Sequence, residues 1–412
     1  MSPAASVSSN SASGVEAFRA QVRAFLAERL PPAIAEAPRT TQLIDHTVQQ
    51  AWHRILAEQG WATPTWPVEH GGCDWPPGYL AVFEEELARA KAPPISVFVE
   101  MIGPVLYTFG DETQKARHLA PLRDGEVIWC QGYSEPGSGS DLASLRTRAR
   151  RVGDHYVVNG QKIWTTYAHR ADWMFALVRT SDEGRAQQGI SFLLIDMATP
   201  GIEVRPIRSI DGLHHLNEVF FSEVHVPVAN LIGQENAGWS IAKFLLEHER
   251  NGVGSLLTVW SQIEAVSCLI DQTYPAGDPD LAFERDALKS ALAEAEITLL
   301  AIDGYNQRQT ALAQRGAASS AGPSILKLAV TELQQDIAEI GVRALGNDAL
   351  RDQSSFIEDY RPEAMLGGEG GALAMLQYLF GRAYTILGGT SEVQRNLIFR
   401  GLSGAGGLAH AG

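Results

Sequence analysis

Hydrophobic residues recur every three to four positions through the first part of the chain, which predicts amphipathic helices. The pattern holds from Val15 to about Gly125. Its clearest repeats are Ala17, Phe18, Val22, Phe25 and Leu26, followed by Leu80, Phe83, Leu87 and Ala88. The stretch from Trp61 to Pro77 interrupts them with Pro, Gly and Trp, so we interpret it as a loop that packs between helices.

From Glu126 the pattern changes to short runs rich in β-branched and aromatic residues, which is typical of strands. The runs are His155–Val158, Met174–Val178, Ile190–Ile195, Val204–Ile207 and Glu218–Phe221. Turn signals at Val157–Gly160 and Thr199–Gly201 separate them. This spacing predicts an antiparallel β-barrel or sandwich that ends near Val226–Pro227.

Helical periodicity returns at Trp239 and persists to about Arg400. Gly and Pro predict breaks in it at Thr273–Pro279, Gly316–Pro323 and Gly367–Gly371. The predicted fold class is therefore α+β multidomain. We expect a tail at 1–14, a helical domain at 15–125, a β-domain at 126–235, a helical bundle at 236–403 and a second tail at 404–412.

The bulk composition excludes two classes of partner. The 412 residues carry a formal net charge of −15, and we find no basic stripe in the sequence, so no nucleic-acid partner is expected. No apolar run approaches the roughly 20 residues that span a bilayer. The N-terminal residues lack the pattern of a signal peptide, and the widely spaced Cys73, Cys130 and Cys268 suit a reducing, cytoplasmic location.

Two segments carry candidate chemistry. The stretch from Trp129 to Asp141 (WCQGYSEPGSGSD) is a loop rich in backbone N–H donors, hydroxyls and glycines that permit close approach of a ligand. Trp164-Thr165-Thr166 adds an aromatic face and two hydroxyls on a predicted strand, Lys162–Tyr167. Together they suggest a clamp for a flavin. Without the loop, the preferred interpretation of Trp164 is an aromatic of the sheet core, and an ordinary strand residue is the alternative for Thr166.

These residues resemble the acyl-CoA dehydrogenase family over essentially the whole chain. The resemblance rests on Tyr133–Asp141, Asn159–Thr166, Asp172-Trp173 and Leu387–Arg395, in this order and spacing. It implies an N-terminal α-helical domain, a middle β-domain, a C-terminal four-helix bundle, and FAD as cofactor at a subunit interface. It also implies an acyl-CoA substrate and electron-transfer flavoprotein as the electron acceptor.

Carried over by position, the resemblance also assigns roles. Trp164 is expected to pack on the flavin ring and Thr166 to hydrogen-bond near flavin N5, and Ser140 is expected to lie near the pyrophosphate of FAD or of CoA. The other expected cofactor contacts are Tyr133, Ser134, Gly139, Thr165, Thr390 and Glu392. The expected substrate contacts are Ser140, Arg250, Gly388 and Gly389.

The expected reaction needs a base for the α-proton while hydride leaves Cβ for the flavin. Many relatives carry a glutamate just before Gly-Thr, but Gly388 stands there in this chain. Other members place the base on a C-terminal-domain helix, in a Glu-Arg pair that Glu249-Arg250 matches, so Glu249 is the candidate. Glu247 lies about 200° away around a helix and cannot share its face. Taken alone, the patch 247–250 would be read as a solvated surface.

The chain departs from homotetrameric members at the two segments that hold the adenosine half of FAD. The corresponding regions of this chain are Leu256–Ile263 and Glu339–Asn347, and neither contains the recognisable motif. In this respect the chain resembles the large subunits of two-gene members, in which a related small subunit completes each FAD site in an α2β2 assembly. A homo-oligomer is the alternative. Two further functions stay open: a flavin oxidase or monooxygenase of the same fold, and a non-catalytic subunit.

Overall fold

The computed structural model describes residues 12–35, 46–76, 78–252, 256–313, 315, 317, 319–355 and 365–403, without the side chains of residues 12, 247–252, 313 and 369. Two compact units divide the chain. The first comprises Met1–Pro206 and Leu216–Leu245, and the second Ile207–His215 and Leu246–Gly412. Of the helices described, none has the length and apolarity needed to cross a membrane.

Helices form the first part of the chain, as the periodicity predicts. They are α1 (Ala12–Arg29), α2 (Pro32–Ala35), α3 (His46–Gln59), α4 (Tyr79–Arg89), α5 (Val97–Phe109) and α6 (Glu112–Arg123). Phe18 and Phe25 of α1 lie in one buried cluster with Phe83 of α4 and with Trp61. The stretch after Trp61 is a loop with one short 3-10 turn, Val68–His70. Trp61 and Trp66 are buried and Trp75 is half-buried, so irregular backbone contributes aromatic residues to the core.

A single mixed sheet of eight strands follows. The strands are β1 (Trp129–Gly132), β2 (Arg148–Val152), β3 (His155–Lys162), β4 (Trp173–Arg179), β5 (Ile190–Asp196), β6 (Ile202–Arg208), β7 (His214–Pro227) and β8 (Leu231–Ile232). Their order is β6-β7-β3-β2-β4-β5-β8, and β1 pairs with β4. All five predicted runs are strands. The sheet is not wholly antiparallel, because β1 and β2 run parallel to β4.

Two local expectations in the sheet were wrong. Asn159-Gly160 is not a turn but lies inside β3, where the pairing with β7 shifts register. Gly160 has a φ of +150°, and a Cβ there would lie 2.6 Å from the Cα of Thr147, so close approach of the neighbouring backbone requires glycine. The predicted strand Lys162–Tyr167 ends at Lys162, because Trp164 and Tyr167 adopt left-handed φ values of +61° and +58°.

Helices resume with α7 (Gly238–Gly252), α8 (Leu256–Thr273), α9 (Ala282–Ala313), α10 (Gly322–Leu345), α11 (Gly368–Gly381) and α12 (Ser391–Ser403). Apolar residues of α8, α9 and α10 form one buried cluster. The predicted breaks after Thr273 and around residues 316–323 are present. The third predicted break does not coincide with the structure, because α10 already ends at Leu345 and Gly368–Gly371 form the first turn of α11.

A buried ion pair ties the loop after β1 to the end of β3. The ammonium of Lys162, which is completely buried, donates to the carboxylate of Glu135 at 2.8 Å and to the carbonyl of Tyr133 at 3.0 Å. The same carboxylate accepts the backbone N–H groups of Arg146 and Thr147 at 2.6 and 2.9 Å. One carboxylate therefore fixes both ends of the loop.

The ionisation of this pair depends on burial and on the attraction and hydrogen bonds between the two groups. Burial lowers the pKa of Lys162 to about 8, although the neighbouring carboxylate opposes that shift. Burial alone would raise the pKa of Glu135, but the Lys162 ammonium and the hydrogen-bond donors outweigh it, so the pKa is lowered. Near neutral pH both groups are charged.

Glu135→Gln leaves the Lys162 ammonium buried without its counter-charge, so we expect the free energy of unfolding to fall by about 3–5 kcal/mol. The double variant Glu135→Gln/Lys162→Met removes both charges and should recover most of that loss. Chemical denaturation followed by circular dichroism compares the two variants with the wild type. Equal destabilisation of the single and double variants would contradict the ion pair as the anchor.

Candidate active site

The loop after β1 presents small and polar residues at the surface of the first unit. Tyr133 directly follows β1 and is buried, whereas Ser134 is half-buried. Glu135 and Ser138 close a tight turn by exchanging two backbone hydrogen bonds of 2.9 Å. Ser140 lies beyond that turn and is exposed. The buried side of the loop is thus anchored, while its tip faces solvent.

Open space adjoins the two glycines of this loop. A Cβ added at Gly137 or Gly139 would meet no atom within 4 Å, and neither residue has a positive φ. Protein packing and backbone conformation therefore do not account for the two glycines. Close approach of a ligand would account for both.

Trp164 is presented outward and is not a residue of the sheet core. Its side chain is 57% exposed, which excludes the reading as a core aromatic. Thr166 follows in a turn and is half-buried, so β-propensity does not explain it either. The backbone N–H of Ile163 donates to the carbonyl of Ser134 at 3.0 Å. This bond brings the tryptophan segment next to the loop after β1, as the sequence predicts.

Asn217 of β7 holds the segment from the other side. Its carbonyl accepts the N–H of Thr165 at 3.0 Å, and its side-chain amide donates to the carbonyl of Thr165 at 3.0 Å and contacts Nδ1 of His169 at 3.1 Å. Thr165, held in this way, is buried between two left-handed residues, Trp164 and Tyr167. The hydroxyl of Thr165 is buried and has no hydrogen-bond partner among the described residues.

The sequence carries only a weak signal for Asn217. Buried and half-buried residues alternate along the first half of β7, and Asn217 occupies a buried position where an apolar side chain is expected. Lys162 occupies a buried position at the end of β3 in the same way. In both cases a polar side chain at a buried position of a strand indicates a specific hydrogen-bond partner.

In the second unit, the segment before α12 contains the predicted C-terminal contacts. Gly388 and Gly389 adopt φ values of +63° and +94°. Thr390 precedes α12, and its hydroxyl accepts the N–H of Val393 at 3.3 Å. Glu392 is exposed in the first turn of that helix. These four residues lie within five positions of the chain, with the buried Ser391 between Thr390 and Glu392.

Two buried side chains hold the glycine pair and were not predicted. The ammonium of Lys327 donates to the carbonyls of Tyr384 and Gly389 at 2.8 and 3.0 Å. The amide of Gln394 donates to the carbonyls of Gly388 and Gly389 at 3.1 and 3.2 Å. The left-handed glycines are therefore fixed by hydrogen bonds to their carbonyls, which the sequence pattern alone does not reveal.

The candidate base lies on a helix, as expected. Glu249 and Arg250 belong to α7, whose backbone is described to Gly252. Their side chains, and that of Glu247, lie outside the described residues. The direction of the Glu249 carboxylate and its surroundings therefore stay a prediction.

What the first unit can do chemically follows from its exposed groups. An indole face, the loop amides and a tip open at two glycines lie side by side, supported by buried polar anchors. Such a surface suits a flat polar ring with a phosphorylated tail.

Three family models match the chain in sequence order. They are "Acyl-CoA dehydrogenase, N-terminal domain" at residues 14–126, "Acyl-CoA dehydrogenase, middle domain" at residues 130–224 and "Acyl-CoA dehydrogenase, C-terminal domain" at residues 236–403. Acyl-CoA dehydrogenase IpdE1 of Mycobacterium tuberculosis is 34% identical over 395 residues, which cover 93% of this chain and 96% of that protein.

Solved structures agree with these matches. A chain of the ChsE4-ChsE5 complex from Mycobacterium tuberculosis has a TM-score of 0.79 at 29% identity, covering 97% of this chain and 99% of that one. A chain of the Tcur3481-Tcur3483 steroid ACAD has a TM-score of 0.77 at 27% identity, with the same two coverages of 97% and 99%. Because all three domains and nearly the full length match, the chain belongs to the acyl-CoA dehydrogenase family of oxidoreductases.

Proposed function

We propose that this chain catalyses FAD-dependent α,β-dehydrogenation of an acyl-CoA thioester to a trans-2-enoyl-CoA. The observation that carries the proposal is the outward indole of Trp164, held beside the Tyr133–Asp141 loop by long-range hydrogen bonds. The left-handed backbone conformation of this residue is of the strained kind that is retained at ligand sites when the surrounding structure over-determines it. Membership of the acyl-CoA dehydrogenase family supports this reaction class.

The residues present fit FAD. The indole face of Trp164 suits a flavin ring, and the open side of Gly137 and Gly139 leaves room for a ligand against the loop amides. The residues that would hold the cofactor are Tyr133, Ser134, Gly139, Ser140, Trp164, Thr165, Thr166, Thr390 and Glu392. Because Thr165 is buried and its backbone N–H and carbonyl both bond to Asn217, it would act by fixing the conformation of Trp164 and Thr166. Bound FAD would supply the acceptor for the hydride that leaves Cβ.

Glu249 is the proposed base for the α-proton, and Ser140, Arg250, Gly388 and Gly389 are the proposed contacts of the substrate. With Gly388 ahead of Gly389-Thr390, the C-terminal segment offers no carboxylate at that position. A glutamate on α7 supplies one, and burial beside the substrate would raise its pKa toward the working pH.

Glu249→Gln keeps the shape of the side chain but cannot take the proton, so we expect kcat to fall by about 10²- to 10⁴-fold. FAD binding should be unchanged, since the carboxylate acts on the substrate. Glu247→Gln is the matched control, because it removes the same charge from another face of α7 and should stay near wild-type activity. Steady-state assays on the purified holoenzyme make the comparison. Full activity of Glu249→Gln would reject the assignment.

Asn217→Ala removes the side-chain bond that holds Thr165 between two left-handed residues, each of which costs about 1–2 kcal/mol in backbone energy. We expect weaker FAD binding and lower kcat, because the Trp164 segment loses its fixed conformation. Asn230→Ala is the control: it removes a comparable buried bond, from the amide to the carbonyl of Leu194 at 2.9 Å, away from this segment. Fluorescence titration with FAD measures both. Equal losses in the two variants would contradict the role of Asn217.

We also propose that a related small subunit completes the FAD site in an α2β2 assembly. Two structural relatives each pair two proteins, in the ChsE4-ChsE5 complex and in the Tcur3481-Tcur3483 steroid ACAD. This chain also lacks recognisable versions of the two segments that hold the adenosine half of FAD in homotetrameric members. Electron-transfer flavoprotein is the proposed acceptor.

Purification of the chain by itself tests the partner. We expect less than one FAD per chain and little turnover, because half of each site would be absent. Adding the related subunit should restore yellow colour and activity. Stoichiometric FAD with full turnover by the single chain would reject the heteromeric assembly. Anaerobic bleaching of the flavin by fatty, dicarboxylic and steroid-derived CoA esters would identify the acyl group. Oxygen consumption without an acceptor would indicate an oxidase instead.

A further inference from the structure

A row of arginines runs along the exposed side of β2 and the residues before it. From Leu145 to Arg150, buried and exposed residues alternate strictly, and the exposed ones are Arg146, Arg148 and Arg150. Strand geometry places successive members about 6.6 Å apart on one face. We name these three residues the arginine stripe. Arg151 belongs to the next position of the strand and pairs with Tyr156.

The stripe is locally basic in a chain of net charge −15. Arg148 forms an ion pair with Asp182. Among the described residues, no hydrogen bond or ion pair engages the guanidinium groups of Arg146 and Arg150. The stripe contradicts the expectation, drawn from the overall charge, that no basic stripe is present. Acidic residues elsewhere outnumber it without neutralising it, so a local positive potential remains.

The stripe begins where the candidate site is anchored. The backbone N–H of Arg146 donates to the carboxylate of Glu135 at 2.6 Å, and Glu135 closes the turn with Ser138. The exposed Ser140 lies in the loop between these anchor points. Arg146 is therefore at the foot of the loop that is proposed to receive phosphates.

A buried arginine, Arg179, holds the backbone at the start of the stripe. The guanidinium of Arg179 donates to the carbonyls of Ala143 and Leu145 at 2.6 and 3.2 Å, and also to the carbonyl of Ala186. These bonds hold the start of the stripe against the turn at Ala186–Gly189. The exposed arginines consequently project from a backbone that is held in place.

We infer that the arginine stripe binds the phosphates of the coenzyme A portion of the substrate, an inference that rests on the proposed acyl-CoA substrate. Guanidinium groups bind phosphate oxygens through paired N–H donors. Coenzyme A carries a pyrophosphate and a 3′-phosphate, so a row of spaced cations suits it better than one cation does. The stripe also offsets the repulsion that a polyanionic substrate meets on approaching an acidic chain.

Kinetics with two thioesters test the stripe on the holoenzyme. One substrate is the acyl-CoA, and the other is the matching acyl-pantetheine, which keeps the thioester but lacks the 3′-phospho-ADP. For Arg146→Gln/Arg150→Gln we expect KM for acyl-CoA to rise about 3- to 20-fold with kcat nearly unchanged, as for two exposed charge contacts. KM for acyl-pantetheine should not change. Arg54→Gln/Arg205→Gln, which removes two exposed arginines elsewhere, should match the wild type.

A binding measurement separates this inference from the proposed reaction. Calorimetry with adenosine 3′,5′-bisphosphate should show binding to the wild type and to the control variant, and a loss of binding in the stripe variant. If the wild type turns over neither thioester, the proposed function fails, and this measurement still decides the stripe. An unchanged KM for acyl-CoA in the stripe variant, or an equal rise for both thioesters, would overturn the inference.

Discussion

The ion pair between Glu135 and Lys162 is the constraint on which the rest of the candidate site depends. An isolated ammonium at full burial would be strongly unfavourable, so Lys162 requires the carboxylate that meets it at 2.8 Å. That carboxylate also accepts two backbone N–H groups at the far end of its own loop. A single buried charge therefore determines where β3 ends, where the loop starts and where it returns.

The consequence of this anchoring is an aromatic residue that faces outward. Directly after Lys162 the chain leaves the sheet, and Trp164 takes a left-handed conformation that bulky residues rarely adopt. Its two neighbours hold it there, because Ile163 donates to the carbonyl of Ser134 and Thr165 exchanges hydrogen bonds with Asn217. Strain of this kind is retained where the surrounding structure over-determines it, which is common at ligand sites. The same framework carries the arginine stripe, whose local charge is opposite to that of the whole chain.

The sequence-based predictions were wrong at points where local conformational preference and long-range contacts disagree. Trp and Thr favour strands, so Trp164–Thr166 reads as a strand, yet a partner 52 residues away decides its conformation. Asn-Gly favours a hairpin turn, yet Asn159-Gly160 is a bulge, because β3 continues along β7 and the backbone of Thr147 approaches Gly160 closely. In both cases the deciding atoms lie far away along the chain.

The sequence alone determined the type and order of the elements, because helical and strand periodicities are local properties of the hydrophobic pattern. It also predicted three candidate site segments, namely the loop after β1, the tryptophan segment and the helix that carries Glu249, since the residues of each segment are adjacent in the chain. Only the tertiary structure decided which buried polar groups meet: Glu135 with Lys162, Asn217 with Thr165, and Lys327 with Gly389. Burial makes each of these polar groups require a partner, and the fold alone specifies which partner is within reach.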